Sequence, residues 1–252
     1  MKAAIGYCNE ANAFLAGKNA TENAIEKGSI SSPDFVFAFC SGQLDPDDFF
    51  NGVQSVVGPE TPIIGGSAIG IITNESLSYK GHPAGVAVIQ SDRIKYEIAS
   101  VNGLDKDEKL AGRKLGKKLA NQQEGKALII LYDSVKTHPA EDKPPVLNAS
   151  SPLIEGVEKE LKSNLPIFGA GLLSDYDFNM PVRQFCGSYV DTQSVVGVLL
   201  TGDFKPYYRI MHGCSPLDGV YHKITKIEGS VIYEIDDKPI VDMIDDCYGN
   251  QG

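Results

Sequence analysis

Two glycine-rich segments carry the residues best suited to hold a ligand. The first contains Gly65, Gly66 and Ser67, and the second contains Gly169 and Gly171. Each segment follows a predicted strand, where backbone amides without side chains could hold an anion or a carboxylate. The alternative is structural, because glycine is also needed where the chain adopts a positive φ or packs tightly. The sequence leaves both interpretations open.

Familiar nucleotide and hydrolase motifs do not fit these segments. A dinucleotide fingerprint would need a third glycine where the chain has Ser174. A P-loop would need lysine after Gly70, and a nucleophile elbow would need glycine in place of Ile69. The segments therefore indicate binding and no recognised reaction.

Polar residues follow several predicted strands and point to a binding crevice. Asn9 follows the first strand, Asp133 follows a central strand, and Asp175 follows the second glycine-rich segment. In open α/β sheets, ligands bind beyond the carboxyl ends of strands. Arg183 lies near the second glycine-rich segment in sequence, so its side chain could pair with the carboxylate of a ligand bound there. The structural alternatives are the preference of Asn and Asp for turns and a solvated loop position for Arg183.

His212 and Cys214 are the candidates for covalent or metal chemistry. They stand two residues apart, so an imidazole and a thiolate could interact or share a metal. The chain has four histidines and no His-x-x-x-His pair, which makes ordinary packing at a turn the simpler interpretation. We predict no metal site and no cofactor.

Composition excludes some classes of partner. With 23 Lys and Arg against 33 Asp and Glu, the 252-residue chain has a formal charge of −10, which repels phosphate backbones and anionic lipids. Its apolar runs are shorter than the roughly 20 residues that cross a bilayer. The first residues lack the apolar core of an export signal. We therefore predict a cytoplasmic protein that binds neither nucleic acid nor membrane.

Similar segments recur in the same order and indicate an internal duplication. Residues 49–53 and 62–66 resemble residues 153–157 and 166–170, both at an offset of 104 positions. The other two matches are 15–18 with 110–113, at an offset of 95, and 85–88 with 197–200, at an offset of 112. Because the order is kept and only the spacing changes, we infer two copies of one unit.

Each copy is predicted to contain the same elements, which gives an α/β fold with mixed sheets. The order is strand, helix, buried strand, helix, strand and hairpin, with the second helix opening at Asp45-Pro46 or Ser151-Pro152. The predicted hairpins pair residues 85–89 with 94–99, and 195–200 with 207–211. A short β-hairpin segment follows the second copy.

The strand at 35–39, the turn at 62–67, the strand at 85–89 and the segment at 212–216 together resemble the FIST sensory domain. Residues 224–239 resemble the opening of the C-terminal FIST segment. The resemblance implies a FIST N-like domain over residues 1–213, made of repeats at about 1–93 and 94–213, followed by the start of a FIST C-like segment at 214–252. Because the chain stops soon after that segment begins, we expect a fragment of a longer protein.

The resemblance also implies a function. It indicates an intracellular sensory module of a signal-transduction protein that binds a small molecule, with amino acids among the candidate ligands, and acts on an output domain or protein. It brings no catalytic residue. The predicted ligand-binding residues are those already named: Gly65, Gly66, Ser67, Gly169, Gly171, Asp175, Arg183, His212 and Cys214. The alternative is a cysteine-dependent hydrolase or acyl-transfer enzyme that uses Cys214 and His212. A homodimer is compatible with the sequence.

Overall fold

The computed structural model describes residues 1–120, 125–161, 165–209, 213–215, 219–228 and 231–249. The chain divides into two compact units, Met1–Pro206 and Tyr207–Gly252. The predicted domain boundaries, at about residues 93 and 213, stay predictions. No helix in these described ranges is both long enough and apolar enough to cross a membrane.

The first half of the larger unit alternates strands and helices. Its elements are β1 (Lys2–Asn9), α1 (Ala13–Gly28), β2 (Phe35–Ser41), α2 (Pro46–Val57), β3 (Ile63–Ala68), β4 (Ile71–Ile72), β5 (Leu77–Ser78) and β6 (Pro83–Gln90).

The second half repeats this order with additional strands. Its elements are β7 (Ile94–Asn102), α3 (Glu108–Leu119), β8 (Ala127–Asp133), β9 (Val135–Thr137), β10 (Val146–Leu147), α4 (Ser150–Leu161), β11 (Ile167–Leu172), β12 (Gln184–Gly187), β13 (Tyr189–Asp191) and β14 (Ser194–Gly202).

The two main sheets share one topology. The first has the strand order β1-β6-β2-β3-β12-β13, and the second has the order β7-β14-β8-β11. In each, one pair, β2–β3 or β8–β11, is parallel, and the pairs β1–β6, β6–β2, β7–β14 and β14–β8 are antiparallel. The predicted α/β class with mixed sheets is confirmed. The shared strand order agrees with the duplication, which stays an inference, and β12–β13 extend the first sheet although they lie in the second half of the sequence.

Three apolar clusters stack these elements into four layers. One cluster joins α1 and α2 to the first sheet through residues such as Ala20 and Val86, and another joins α3 and α4 to the second sheet. The third lies between the sheets and includes Phe35, Ile64 and Val198. Because both faces of the central strands are covered, their sequences are continuous apolar runs and not alternating ones.

The helix starts follow from local sequence. The Asp45 carboxylate accepts a hydrogen bond from the backbone N–H of Asp48 at 2.8 Å, and Pro46 is the first residue of α2, as predicted. Helix α4 begins at Ser150, so Ser151 lies inside its first turn and is not the cap. The predicted helix exists, and it begins two residues before Pro152, the predicted first helical residue.

The predicted hairpins are wrong. Strand β7 pairs with β14 in the second sheet, whereas β6 pairs with β1 and β2 in the first. The three residues between β6 and β7 therefore carry the chain from one sheet to the other. Residues 203–209 form no strand, and residues 210 and 211 lie outside the described part of the chain. Strands that are adjacent in sequence suggested a hairpin, but β6 and β7 each pair with strands that are distant in the sequence.

The predicted match of 85–88 with 197–200 is displaced by one residue. Within their sheets, Val86 pairs with Ala38, and Gly197 pairs with Ile130. Ala38 and Ile130 are equivalent, because each has its carbonyl oxygen below a glycine of the neighbouring parallel strand. The structural offset is therefore 111. A one-residue slip matters, because it turns every side chain of a strand to the opposite face.

The smaller unit forms a three-stranded sheet and one helix. Its elements are β15 (Ile224–Glu228), β16 (Val231–Ile235), β17 (Lys238–Pro239) and α5 (Ile240–Tyr248). The Asp236 carboxylate accepts hydrogen bonds from the backbone N–H of Lys223 and binds Nδ1 of His222, both at 2.7 Å. These contacts fix the approach to the predicted hairpin β15–β16.

Candidate functional site

Both glycine-rich segments border one cavity of about 510 Å³ in the larger unit. Residues 67–73 line one side, and residues 170–173 line another. The remaining lining residues come from β1, β2 and β6: Ile5, Phe37, Phe39, Gly85, Val86 and Ala87. The sequence therefore predicted two segments that the fold brings together, although they are separated by about a hundred residues.

The cavity exists because β6 has small residues on this face. Ala87 lies between its cross-strand partners Ile5 and Phe37, and Gly85 lies between the strands that carry Tyr7 and Phe39. Large side chains on the two flanking strands thus lie on either side of the small residues Gly85 and Ala87.

The second sheet has no such small residues at the equivalent positions. At the structural offset of 111, Val196 and Val198 of β14 correspond to Gly85 and Ala87, and both valines are fully buried between the sheets. The two halves share a topology, and this difference in side-chain volume places the cavity in the first half.

A segment that we call the strap, residues 71–78, covers part of the cavity. Its strands β4 and β5 pair with each other, and Ile71 is buried against the position where Gly85 lacks a side chain. Ile72, the next residue, is 78 % exposed. The tip is tied to α1 by an ion pair between Lys27 Nζ and Glu75 Oε2 at 2.6 Å. The side chain of Asn9 holds the returning chain through the backbone of Lys80 and His82.

The glycines are not the turn with unused amides that the sequence predicted. Gly65 and Gly66 lie inside β3, and Gly169 lies inside β11. A Cβ at Gly65 would lie 1.8 Å from the carbonyl oxygen of Ala38, and at Gly169 a Cβ would lie 1.7 Å from that of Ile130. Glycine is required at these positions for the close approach of parallel strands. Gly171 lines the cavity, and a Cβ there would lie 2.1 Å from Ser134 Oγ.

Ser67, Arg183 and Asp175 make structural contacts. The Ser67 N–H donates to the Arg183 carbonyl at 2.9 Å, and the Arg183 N–H donates to Ser67 Oγ at 3.0 Å. Ser67 also lines the cavity, whereas Arg183 is not among its lining residues. The Asp175 carboxylate accepts hydrogen bonds from the N–H groups of Asn179 and Met180, which closes a loop. Of the predicted residues that the structure describes, Ser67 and Gly171 line the cavity.

The proposed cysteine and histidine chemistry finds no support in the described residues. Cys214 is exposed and belongs to the smaller unit, and His212 lies outside the described residues. Within the described ranges, no three His, Cys, Asp or Glu side chains are grouped so that they could hold a metal ion.

Asp133, one of the predicted strand-end residues, is buried in a polar cluster and is not among the residues that line the cavity. Its carboxylate accepts hydrogen bonds from the N–H groups of Val135 at 2.9 Å and Gln193 at 3.1 Å. Burial raises the pKa of Asp133, although these hydrogen bonds favour the ionised form. The side chain of Asn148 donates to the Asp133 carbonyl. The cluster fixes the loops after β8 and before β14, which is a structural role.

A comparison with known protein families assigns the chain to one of them. The FIST N domain matches residues 34–238 of the chain. The chain belongs to the FIST N domain family. The match includes β2, β6, the strap and both glycine-rich segments, whereas β1, which contributes Ile5 to the cavity, lies before it. FIST domains are sensory domains of signalling proteins.

Two solved structures show distant similarity to this FIST N domain. One is a cyanuric acid hydrolase described in a study of evolutionary innovation by structural concatenation, with 8 % identity over 79 % of this chain and 68 % of that chain, and a TM-score of 0.40. The other is a cyanuric acid hydrolase from A. caulinodans, with 11 % identity over 79 % of this chain and 71 % of that chain, and a TM-score of 0.37. No curated protein matches the chain.

Sequence reasoning missed most of the cavity. The floor residues Ile5, Phe37 and Ala87 were read only as parts of strands, and the strap was not predicted. One signal was present, because β6 alternates Gly85 and Ala87 with large valines. Such a strand packs its valines on one face and leaves space on the other, which is a usable indication of a cavity.

Proposed function

We propose that this FIST N domain binds a small molecule in the cavity bordered by residues 67–73 and 170–173, and that occupancy of the cavity is the signal it reports to an output domain or protein. The single observation that carries the proposal is that both glycine-rich segments meet at one cavity. Its volume of about 510 Å³ lies in the range of small-molecule sites.

The construction of the site supports binding more than reaction. Phe37, Phe39 and Leu172 provide apolar walls, and Ser67 uses both its N–H and its hydroxyl to hold the Arg183 backbone. Among the described lining residues there is neither a histidine nor a cysteine, nor any other group able to exchange protons near neutral pH. A rigid floor with a strap above it is suited to hold a ligand and to respond to it.

A thermal-shift screen of the whole chain against a metabolite library tests the proposal. A ligand present at about 100 times its dissociation constant adds roughly 2.7 kcal/mol to stability, which raises the melting temperature by about 5–10 °C for a chain of this size. Ala170→Phe would fill the cavity from β11, and we expect it to abolish the shift. Ala120→Phe, at an exposed position beyond the end of α3, is the matched control.

The proposal fails if no compound stabilises the chain in a manner that Ala170→Phe prevents and Ala120→Phe does not. Stabilisation that survives Ala170→Phe would place binding elsewhere and would also contradict it.

A further inference from the structure

A second cavity adjoins the first along the same sheet face. It has a volume of about 360 Å³, and Ile5, Thr73 and Ala87 line both cavities. The additional residues come from β1, β6, α1 and the tip of the strap: Ala3, Ala4, Tyr7, Lys27, Asn74, Glu75 and Ile89. The floor from Gly85 to Ile89 spans four residue steps, or about 13 Å at roughly 3.3 Å per residue.

Charge is nearly absent from this combined surface. Among the described residues that line the first cavity, none has an ionisable side chain. In the second, Lys27 and Glu75 are both present, but their side-chain atoms are 2.6 Å apart and neutralise each other. The ion pair is well exposed and contributes little, so the main cost to a charged ligand is the loss of hydration against the apolar walls of the first cavity, where no charged side chain could pair with it.

Neutral hydrogen-bonding groups line the second cavity. Tyr7 and Asn74 line the second cavity, and Tyr7 is partly buried beside the strap. A hydroxyl or an amide could interact there while the hydrocarbon part of the ligand lies over Ala87 and against Ile71. The first cavity is thus apolar, and the second offers neutral polar groups.

From this arrangement we propose that the ligand is an uncharged, elongated and mainly hydrocarbon molecule, such as a long-chain alcohol or primary amide, which extends from the first cavity past Thr73 into the second. This inference rests on the proposed function. It excludes free amino acids, because their ammonium and carboxylate groups would both enter a surface without unpaired partners.

Competition against a fluorescent apolar probe tests the ligand class. N-phenyl-1-naphthylamine is bound to the whole chain and then displaced by 1-alkanols from hexanol to tetradecanol, and by alkanoates and alkylamines of equal length. We expect the affinity of the alkanols to rise about fourfold per methylene until the two cavities are filled, and then to level off. We expect each charged series to bind at least tenfold more weakly at every length.

Two alanine positions test the extension into the second cavity. Ala3→Leu fills only the second cavity, at an exposed position of β1. It is expected to shorten the chain length at which affinity levels off while leaving hexanol affinity within twofold. Ala120→Leu, remote from both cavities, is the control. An unchanged length optimum in Ala3→Leu overturns the extension.

The outcomes separate the inference from the proposed function. If alkanoates, alkylamines or amino acids bind as tightly as the alkanols and Ala170→Phe prevents it, the cavity is a ligand site but the uncharged class is wrong. If neither the naphthylamine probe nor any series shows saturable binding that Ala170→Phe prevents, the proposed function fails, and the inference fails with it.

Discussion

The substitution Gly65→Ala tests whether the glycine-rich segments serve strand packing. Gly65 has a φ of 146°, a conformation nearly restricted to glycine, which costs about 1–3 kcal/mol for another residue. The new Cβ would also lie 1.8 Å from the Ala38 carbonyl oxygen, whereas real Cβ atoms essentially never approach within 3.0 Å. The strands β2 and β3 must therefore separate. With at least two weakened backbone hydrogen bonds and lost packing, we expect a total destabilisation of roughly 4–6 kcal/mol.

Gly58→Ala is the matched control for backbone strain. Gly58 has φ 84° and ψ 163°, also a glycine conformation, but no described atom lies within 4 Å of its would-be Cβ. We expect about 1–3 kcal/mol for this variant. Urea unfolding followed by circular dichroism measures both free energies, and a Gly65→Ala protein that does not fold agrees with the expectation. Destabilisation of the two variants within 0.5 kcal/mol of each other would refute steric packing as the reason for Gly65.

Three further substitutions test other contacts. Ser67→Ala leaves the buried N–H of Arg183 without its acceptor, and urea unfolding should show a loss of about 1–3 kcal/mol; no loss would contradict the contact. Lys27→Ala should change the free energy of unfolding by at most about 1 kcal/mol, because the ion pair between Lys27 and Glu75 is well exposed. It should nevertheless speed amide hydrogen exchange in the strap. Unchanged exchange would show that the ion pair does not hold the strap. Asp133 has a pKa raised by burial, so the folded state holds its proton more tightly than the unfolded chain, and its contribution to stability falls as pH rises above about 4. Asp133→Asn should remove that slope in unfolding free energies measured from pH 4 to 7, and an identical slope in both proteins would contradict the assignment.

Local patterns predicted the elements well, for a physical reason. The central strands β2 and β8 are apolar throughout because helices cover one face and the opposite sheet covers the other, and such runs are visible in the sequence. The start of α2 was visible because Asp45 and Pro46 satisfy the first turn by themselves. Each of these features depends on residues that are close together in the chain.

Strand partners and the cavity were less accessible from sequence. The pairing of β7 with β14 joins residues about a hundred positions apart, and nothing in the short turn after β6 indicates that the chain changes sheets. The glycine-rich segments were recognised as important, but Gly65 and Gly169 act through carbonyl oxygens of neighbouring strands, which only the fold reveals. The cavity itself depends on Gly85 and Ala87 standing where the other half has valines, a comparison that needs the structural register.

The contrast between the two halves shows how one of them forms the cavity. Both halves have the same strand order, and both helix pairs approach closely at glycine, at Gly17 in the first and Gly112 in the second. One half fills its inner sheet face with Val196 and Val198, and the other leaves the face open below the strap. The topology is thus kept while one half has the cavity that we propose as the ligand site.

A crystal structure of the whole chain grown with 1-decanol tests the central claim most directly. The account predicts continuous electron density for the alcohol between residues 67–73 and 170–173, with its hydrocarbon chain over Ala87 and its hydroxyl beside Tyr7. A cavity closed by protein side chains, or decanol bound only at other surfaces while this cavity holds none, would contradict it.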